Sequence, residues 1–117
     1  MPLSPEEIKK FVDNYVDSFV CWDLILFYHG NPGARDDVKG LASRLGRKEK
    51  DIERGVKSLC EKKILREADA DTFEYAPLPE IAEQIGQFTT ILESTDLRLL
   101  ALLHVLDKEG RGRWKKE

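Results

Sequence analysis

The sequence predicts a mainly α-helical domain that carries one small β-hairpin and is flanked by helices at both ends. Three observations predict it. Apolar residues recur at helical spacing through most of the 117 residues. Glycine, proline and capping residues divide that pattern into short pieces. A single stretch, Ile64 to Tyr75, alternates in the manner of paired strands. A chain of 117 residues with 41% apolar and 35% charged content forms one globular, well solvated domain with a modest core.

"SPEEIKKF" opens the first helix. Ser4 caps it, Pro5 suits the first helical position, and Glu7 completes a capping box. Ile8, Phe11, Val12, Tyr15, Val16 and Phe19 keep helical spacing, and the pattern continues through Trp22, Ile25, Leu26 and Tyr28. Ser18 is placed to cap a second helix, and "HGNPG", His29 to Gly33, stops it. Asp36 or Asp37 starts a short helix with Val38, Leu41, Ala42 and Leu45 on one face, and Gly46 ends it. A longer helix follows from about Lys48 to Lys63, with Ile52, Val56, Leu59 and Cys60 as its apolar face. Residues 64–67 and 72–75 are expected to pair as two strands around "ADAD". A last helix is expected from about Glu80 to Asp107. Its seam Ile81, Ile85, Phe88, Leu92, Thr95, Leu99, Leu102, Leu106 alternates steps of 4 and 3, an unbroken heptad pattern fit for a partner helix.

The two short helices on either side of Gly46 must cross steeply for Leu41, Ala42 and Leu45 to share a core with Ile52, Val56 and Leu59. "VKGLASRLGRKEKDIERGVKSLCEKKIL", followed by a hairpin, resembles the winged helix-turn-helix core of bacterial transcription regulators of the MarR-like and PadR-like kind. The resemblance covers about residues 19–76, between an N-terminal helix in 1–18 and a C-terminal dimerisation helix in 80–107, all within one domain of 1–117. It implies that the second helix enters the DNA major groove, that the hairpin is a wing against flanking DNA, and that terminal helices form a dimer.

Charge agrees with that implication. The chain carries a net −3, yet Arg35 to Arg66 holds 11 basic and 6 acidic residues, a local +5, against −8 for the remainder. A basic segment in an acidic chain marks a face for an anion, here double-stranded DNA. The face opposite Ile52 and Val56 carries Lys50, Glu53, Arg54 and Lys57. Arginine reads guanine with two hydrogen bonds, lysine binds guanine or phosphate, and glutamate accepts from a cytosine amino group. Arg47 and Lys48 stand at the helix start, where backbone donors favour a phosphate. Arg35, Lys39 and Arg44 are placed to grip the backbone from the preceding segment. The expected dimerisation residues are Ile81, Ile85, Phe88, Leu92, Leu99, Leu102 and Leu106. The alternative is a protein–protein module that grips an acidic partner.

Other chemistries find no support in the residues. His29 and His104 stand apart without a ligand pattern, so no metal is expected. Cys21 and Cys60 lack a metal or CxxC spacing. Neither a phosphate loop nor a nucleophile motif occurs, so the chain is expected to be neither an enzyme nor a cofactor carrier. Trp22, Phe27 and Tyr28 read as core packing rather than a ligand pocket. The start lacks the apolar run of a secretory signal, and the richest apolar stretch, Leu97 to Leu106, is half a membrane span and holds Arg98 and His104. The expectation is a cytoplasmic protein with no membrane contact.

Overall fold

A computed structural model describes residues 3–114, apart from the side chains of Ala70 and of residues 111–114. Its elements run α1 (Pro5–Tyr15), α2 (Phe19–Gly30), β1 (Arg35–Asp36), α3 (Val38–Leu45), α4 (Glu49–Glu61), β2 (Leu65–Glu67), β3 (Phe73–Tyr75), α5 (Pro79–Ile91) and α6 (Thr95–Trp114). The fold is mainly helical with a small antiparallel sheet.

The caps work as their chemistry requires. Ser4 Oγ accepts from the Glu7 amide at 3.2 Å while Glu7 Oε1 accepts from the Ser4 amide at 2.9 Å. Ser18 and Asp37 cap α2 and α3 through the amides of Cys21 and Gly40. Gly46 takes the left-handed conformation, φ 65°, that ends α3 and turns the chain into α4.

Helix α2 lies at the centre. Val20, Cys21, Trp22, Leu24, Ile25 and Tyr28 are all buried, so it meets neighbours on most sides. Helix α4 packs against it through Ile52, Gly55, Val56 and Leu59. A Cβ on Gly55 would come within 2.8 Å of Leu24 Cδ1 and 2.9 Å of Val20 Cγ1, so any larger residue forces Leu24 or Val20 to move. Leu41 and Ala42 of α3 close the other side of the same core. Helix α5 adds Ile81, Ile85 and Phe88, with the Phe88 ring stacked 4.4 Å from Phe11 and set edge-on to Trp22 at 5.4 Å.

Two expectations are corrected. The hairpin is not a two-stranded unit: Arg35–Asp36 adds a third strand, giving the order β1-β3-β2, with Arg35 opposite Glu74 and Asp36 opposite Phe73. Two residues are too few to show an alternation. The C-terminal helix over 80–107 is also not continuous. Helix α5 ends in tight turns, Leu92 N to Thr89 O and Ser94 N to Ile91 O, before α6 begins. The Thr89 and Thr90 hydroxyls both donate to Gly86 O at 2.9 Å, and such back-bonding weakens the helical ladder just ahead of the break. The heptad seam is thereby divided. Ile81, Ile85 and Phe88 are in the core of the single chain, Leu92 and Leu102 are half-buried, and Leu99 and Leu106 are exposed.

The packing at Gly55 yields a paired prediction. Gly55→Val crowds the α2–α4 contact and lowers stability by about 1–3 kcal/mol. Gly86, in α5, has nothing within 4 Å of where a Cβ would stand, so Gly86→Ala raises stability by up to about 1 kcal/mol. Urea unfolding of both variants checks the two signs.

Candidate nucleic-acid interface

The face of α4 opposite its packing residues carries Lys50, Glu53, Arg54 and Lys57, all exposed, with exposed Lys48 at the N-cap. Lys48 supplies no side-chain cap, and the first turn holds Glu49 and Asp51, which suit the positive end of the helix dipole. Among the described residues, no ion pair or hydrogen bond engages the side chains of Lys39, Lys48, Lys50, Glu53, Arg54 or Lys57. These are the free charges of the basic segment that the sequence singles out.

The arginines of that segment are differently placed. Arg44 Nε donates to Asp36 Oδ2 at 2.8 Å, in a pair whose arginine is 64% exposed. Arg35 and Arg66 both address Glu74 Oε2, at 3.7 and 3.1 Å, because the register sets all three side by side across the sheet. The arginines of these pairs are exposed while Asp36 and Glu74 are largely covered, 22 and 16% exposed, so each guanidinium keeps an outer side open to solvent. Arg47 is another matter. Its Nε and Nη2 lie 2.8 and 2.6 Å from Asp23 Oδ2, and both side chains are about two-thirds covered. Arg47 fastens the turn between α3 and α4 to α2, which is a structural role. The tip between β2 and β3 is a single 3₁₀ turn, Asp69–Asp71, whose two aspartates are exposed.

Helix α6 presents Leu99, Leu103 and Leu106, 53, 54 and 56% exposed, on one face. The opposite face, with buried Ala101 and Val105, packs on α1. Leu103 belongs to this ridge but not to the expected seam, since the burial of Ala101 and Val105 sets the rotation of α6, with Leu103 opposite them and Leu102 on the flank. Asp17 was also not legible as a site residue. It sits between α1 and α2, and its partners Ser58, Lys62 and Lys108 lie 41 to 91 residues away in the chain.

Remaining candidates resolve into structure. Tyr28 donates its hydroxyl to Phe73 O at 2.7 Å, and burial, aided by the Asp36 and Cys60 charges, pushes its pKa up to about 12. Its hydroxyl is a strut between α2 and the sheet. Trp22 is core and Phe27 stacks edge-on to Tyr28. A cleft of about 300 Å³ opens elsewhere, between α1 and α5, lined by Phe11, Tyr15, Gln84 and Gln87 among others. Cys21 is buried, and burial together with Glu67 and Glu61 raises the Cys60 thiol, which makes it a poor nucleophile. His29 meets Thr89 and His104 meets Asp13, and no group of three metal-binding side chains occurs among the described residues. No helix among them is long and apolar enough to cross a membrane. No family model, no curated protein and no solved structure matches the chain.

Asp17 gives a pH prediction. Burial works to raise its carboxyl, but the hydrogen bonds from Lys62 and Ser58 and the charges of Lys62 and Lys108 outweigh it and hold the carboxyl below its ordinary value. A carboxyl lowered by folding contributes stability that is present above its unfolded pKa, about 4, and is lost as pH falls through the folded value. Asp17→Asn therefore unfolds at lower urea than the parent at neutral pH, and the gap closes on acidification below about pH 4. A gap that stays constant on acidification contradicts this assignment.

Proposed function

We propose that the chain is a winged helix-turn-helix protein that binds double-stranded DNA sequence-specifically as a dimer and regulates transcription in the cytoplasm. The observation that carries this reading is the outward face of α4, where Lys50, Arg54 and Lys57 stand exposed and free of internal ion pairs on a helix whose other face is fixed in the core. A helix so held presents long cationic side chains in a defined register, as reading a major groove requires. Arg54 and Lys57 act on base edges, Glu53 on a cytosine amino group, and Lys39, Lys48 and Lys50 on phosphates. Arg35 and Arg44 join them through the exposed side of each guanidinium while keeping Glu74 and Asp36 as partners. The acidic hairpin tip repels phosphate, so contacts are confined to α3, α4 and the sheet arginines.

The dimer rests on α6. A row of half-exposed leucines on a helix already anchored by its other face is apolar surface that a second copy covers. Two copies would present two α4 helices to half-sites about one DNA turn apart.

The pairing of Arg35, Arg44 and Arg47 with carboxylates favours a second reading, an interaction module that grips an acidic protein with fewer free cations than a DNA backbone grip employs. Titration of duplex DNA at two salt concentrations separates the two. DNA binding weakens steeply with salt as counterions return to the phosphates. No binding at low salt leaves only the protein partner.

Arg54→Ala and Lys57→Ala each weaken binding to the preferred duplex, by about 1–3 kcal/mol where the residue touches a base, with unchanged circular dichroism. Unchanged affinity in both variants removes α4 as the reading helix. For the dimer, sedimentation of the parent at tens of micromolar should give twice the chain mass, and Leu99→Glu with Leu103→Glu should give a monomer, because carboxylates resist burial in an apolar contact. A monomeric parent refutes the two-half-site arrangement.

A further inference from the structure

The joint between α1 and α2, residues 16–18, gathers contacts from two distant elements onto one carboxylate. Asp17 Oδ2 accepts from Ser58 Oγ at 2.8 Å and from Lys62 Nζ, both at the C-terminal end of α4. Lys62 also donates to Ser58 Oγ at 3.0 Å, so the three side chains close a ring. Asp17 Oδ1 lies 3.4 Å from Lys108 Nζ, on α6. Lys108 in turn donates to the carbonyls of Val12, Asp13 and Val16 at 3.0, 3.2 and 3.2 Å. Those carbonyls lie at the C-terminal end of α1, the negative end of its dipole, and the Val12 carbonyl also accepts from the Val16 amide at 2.9 Å. Two more bonds fasten α6 to the same region: Glu109 Oε2 accepts from the Phe19 amide at 2.9 Å, and His104 Nε2 lies 2.8 Å from Asp13 Oδ1.

We infer that Asp17 couples the seating of α6 to the placement of the C-terminal end of α4, so that an event on one helix is felt on the other. The physical basis is a single charge shared between two ammonium groups that belong to different elements. Lys62 and Lys108 are only 22 and 18% exposed, so both are held rather than swinging in solvent. Lys108 neutralises the carbonyl end of α1 and pins Asp17 against it. Without that ammonium, the carboxylate faces partial negative charge with no counter-ion on its α1 side. It turns away, and the ring with Ser58 and Lys62 loosens.

On the proposed function, and resting on it for what the two helices bind, Asp17 is a positioning residue that links self-association through α6 to DNA binding through α4. Such linkage is reciprocal: whatever α6 gains from an ordered α4, α4 gains from a seated α6. The coupling itself does not depend on DNA, and is tested without it.

Hydrogen exchange of the full chain gives that test. Lys108→Met keeps the length of the side chain and removes its charge. It is expected to raise exchange several-fold at the amides of residues 58–64, which close the end of α4, although the Lys108 ammonium bonds to residues 12, 13, 16 and 17 instead. In an Asp17→Asn background the same substitution should add nothing there, since the route is already cut. Equal protection of residues 58–64 in Lys108→Met and the parent overturns the inference. So does an additive effect in the double variant. Should Lys108→Met not fold, Lys62→Met reads the coupling from the other end, at the amides of residues 104–109, with the same two criteria. A parent chain that binds no DNA removes the role assigned to α4 and leaves the exchange result standing.

Discussion

The close approach of α4 to α2 at Gly55 is the constraint on which the rest depends. Helix α2 is buried on most of its surface, and α4 reaches it because residue 55 has no side chain to fill the gap beside Val20 and Leu24. With Ile52, Val56 and Leu59 committed to that contact, the rotation of α4 about its axis is fixed. Lys50, Arg54 and Lys57 then have no choice but to face outward. The glycine costs a helix about 1 kcal/mol relative to alanine, which the tight packing offsets.

Charge is used in two ways on this chain. Some pairs hold elements together: Arg47 with Asp23 ties the α3–α4 turn to α2, and Asp17 with Lys62 and Lys108 ties the α1–α2 joint to α4 and α6. These are half-buried and multiply bonded, so they fix geometry. Other charges, at Lys39, Lys48, Lys50, Glu53, Arg54 and Lys57, have no ion pair or hydrogen bond among the described residues. The distinction matters for function, because a cation that is itself two-thirds covered, as Arg47 is, is a poor candidate for an external anion. It moves Arg47 from the interface to the framework and leaves the interface to α4.

Local signals were legible in the sequence and distant ones were not. Ser4, Ser18, Asp37 and Gly46 mark helix ends by chemistry that acts within four residues, and each stands where it was expected. The alternating apolar faces of α3 and α4 gave their shared core in the same way. Strand β1 escaped notice because two residues carry no period. The seam from Ile81 to Leu106 looked like one helix because a 3.5-residue period does not reveal a break that preserves its phase. Thr89, Thr90 and Ser94 decide that break through their own hydrogen bonds. The partners of Asp17 and Arg47 lie 24 to 91 residues away, where no pattern in a single sequence connects them. The candidate face was therefore half legible: its α4 cations follow from periodicity, while the neutralised arginines required the fold.

On the proposed function, α4 reads DNA from a two-fold assembly. Selection from a pool of random duplexes, with the unmodified chain at low and moderate salt, tests it most directly. The expected result is enrichment of a two-fold symmetric sequence with half-sites centred about 10 base pairs apart, and retention that falls steeply as salt rises. A pool that passes unretained at low salt, or one retained with no sequence enriched, contradicts it.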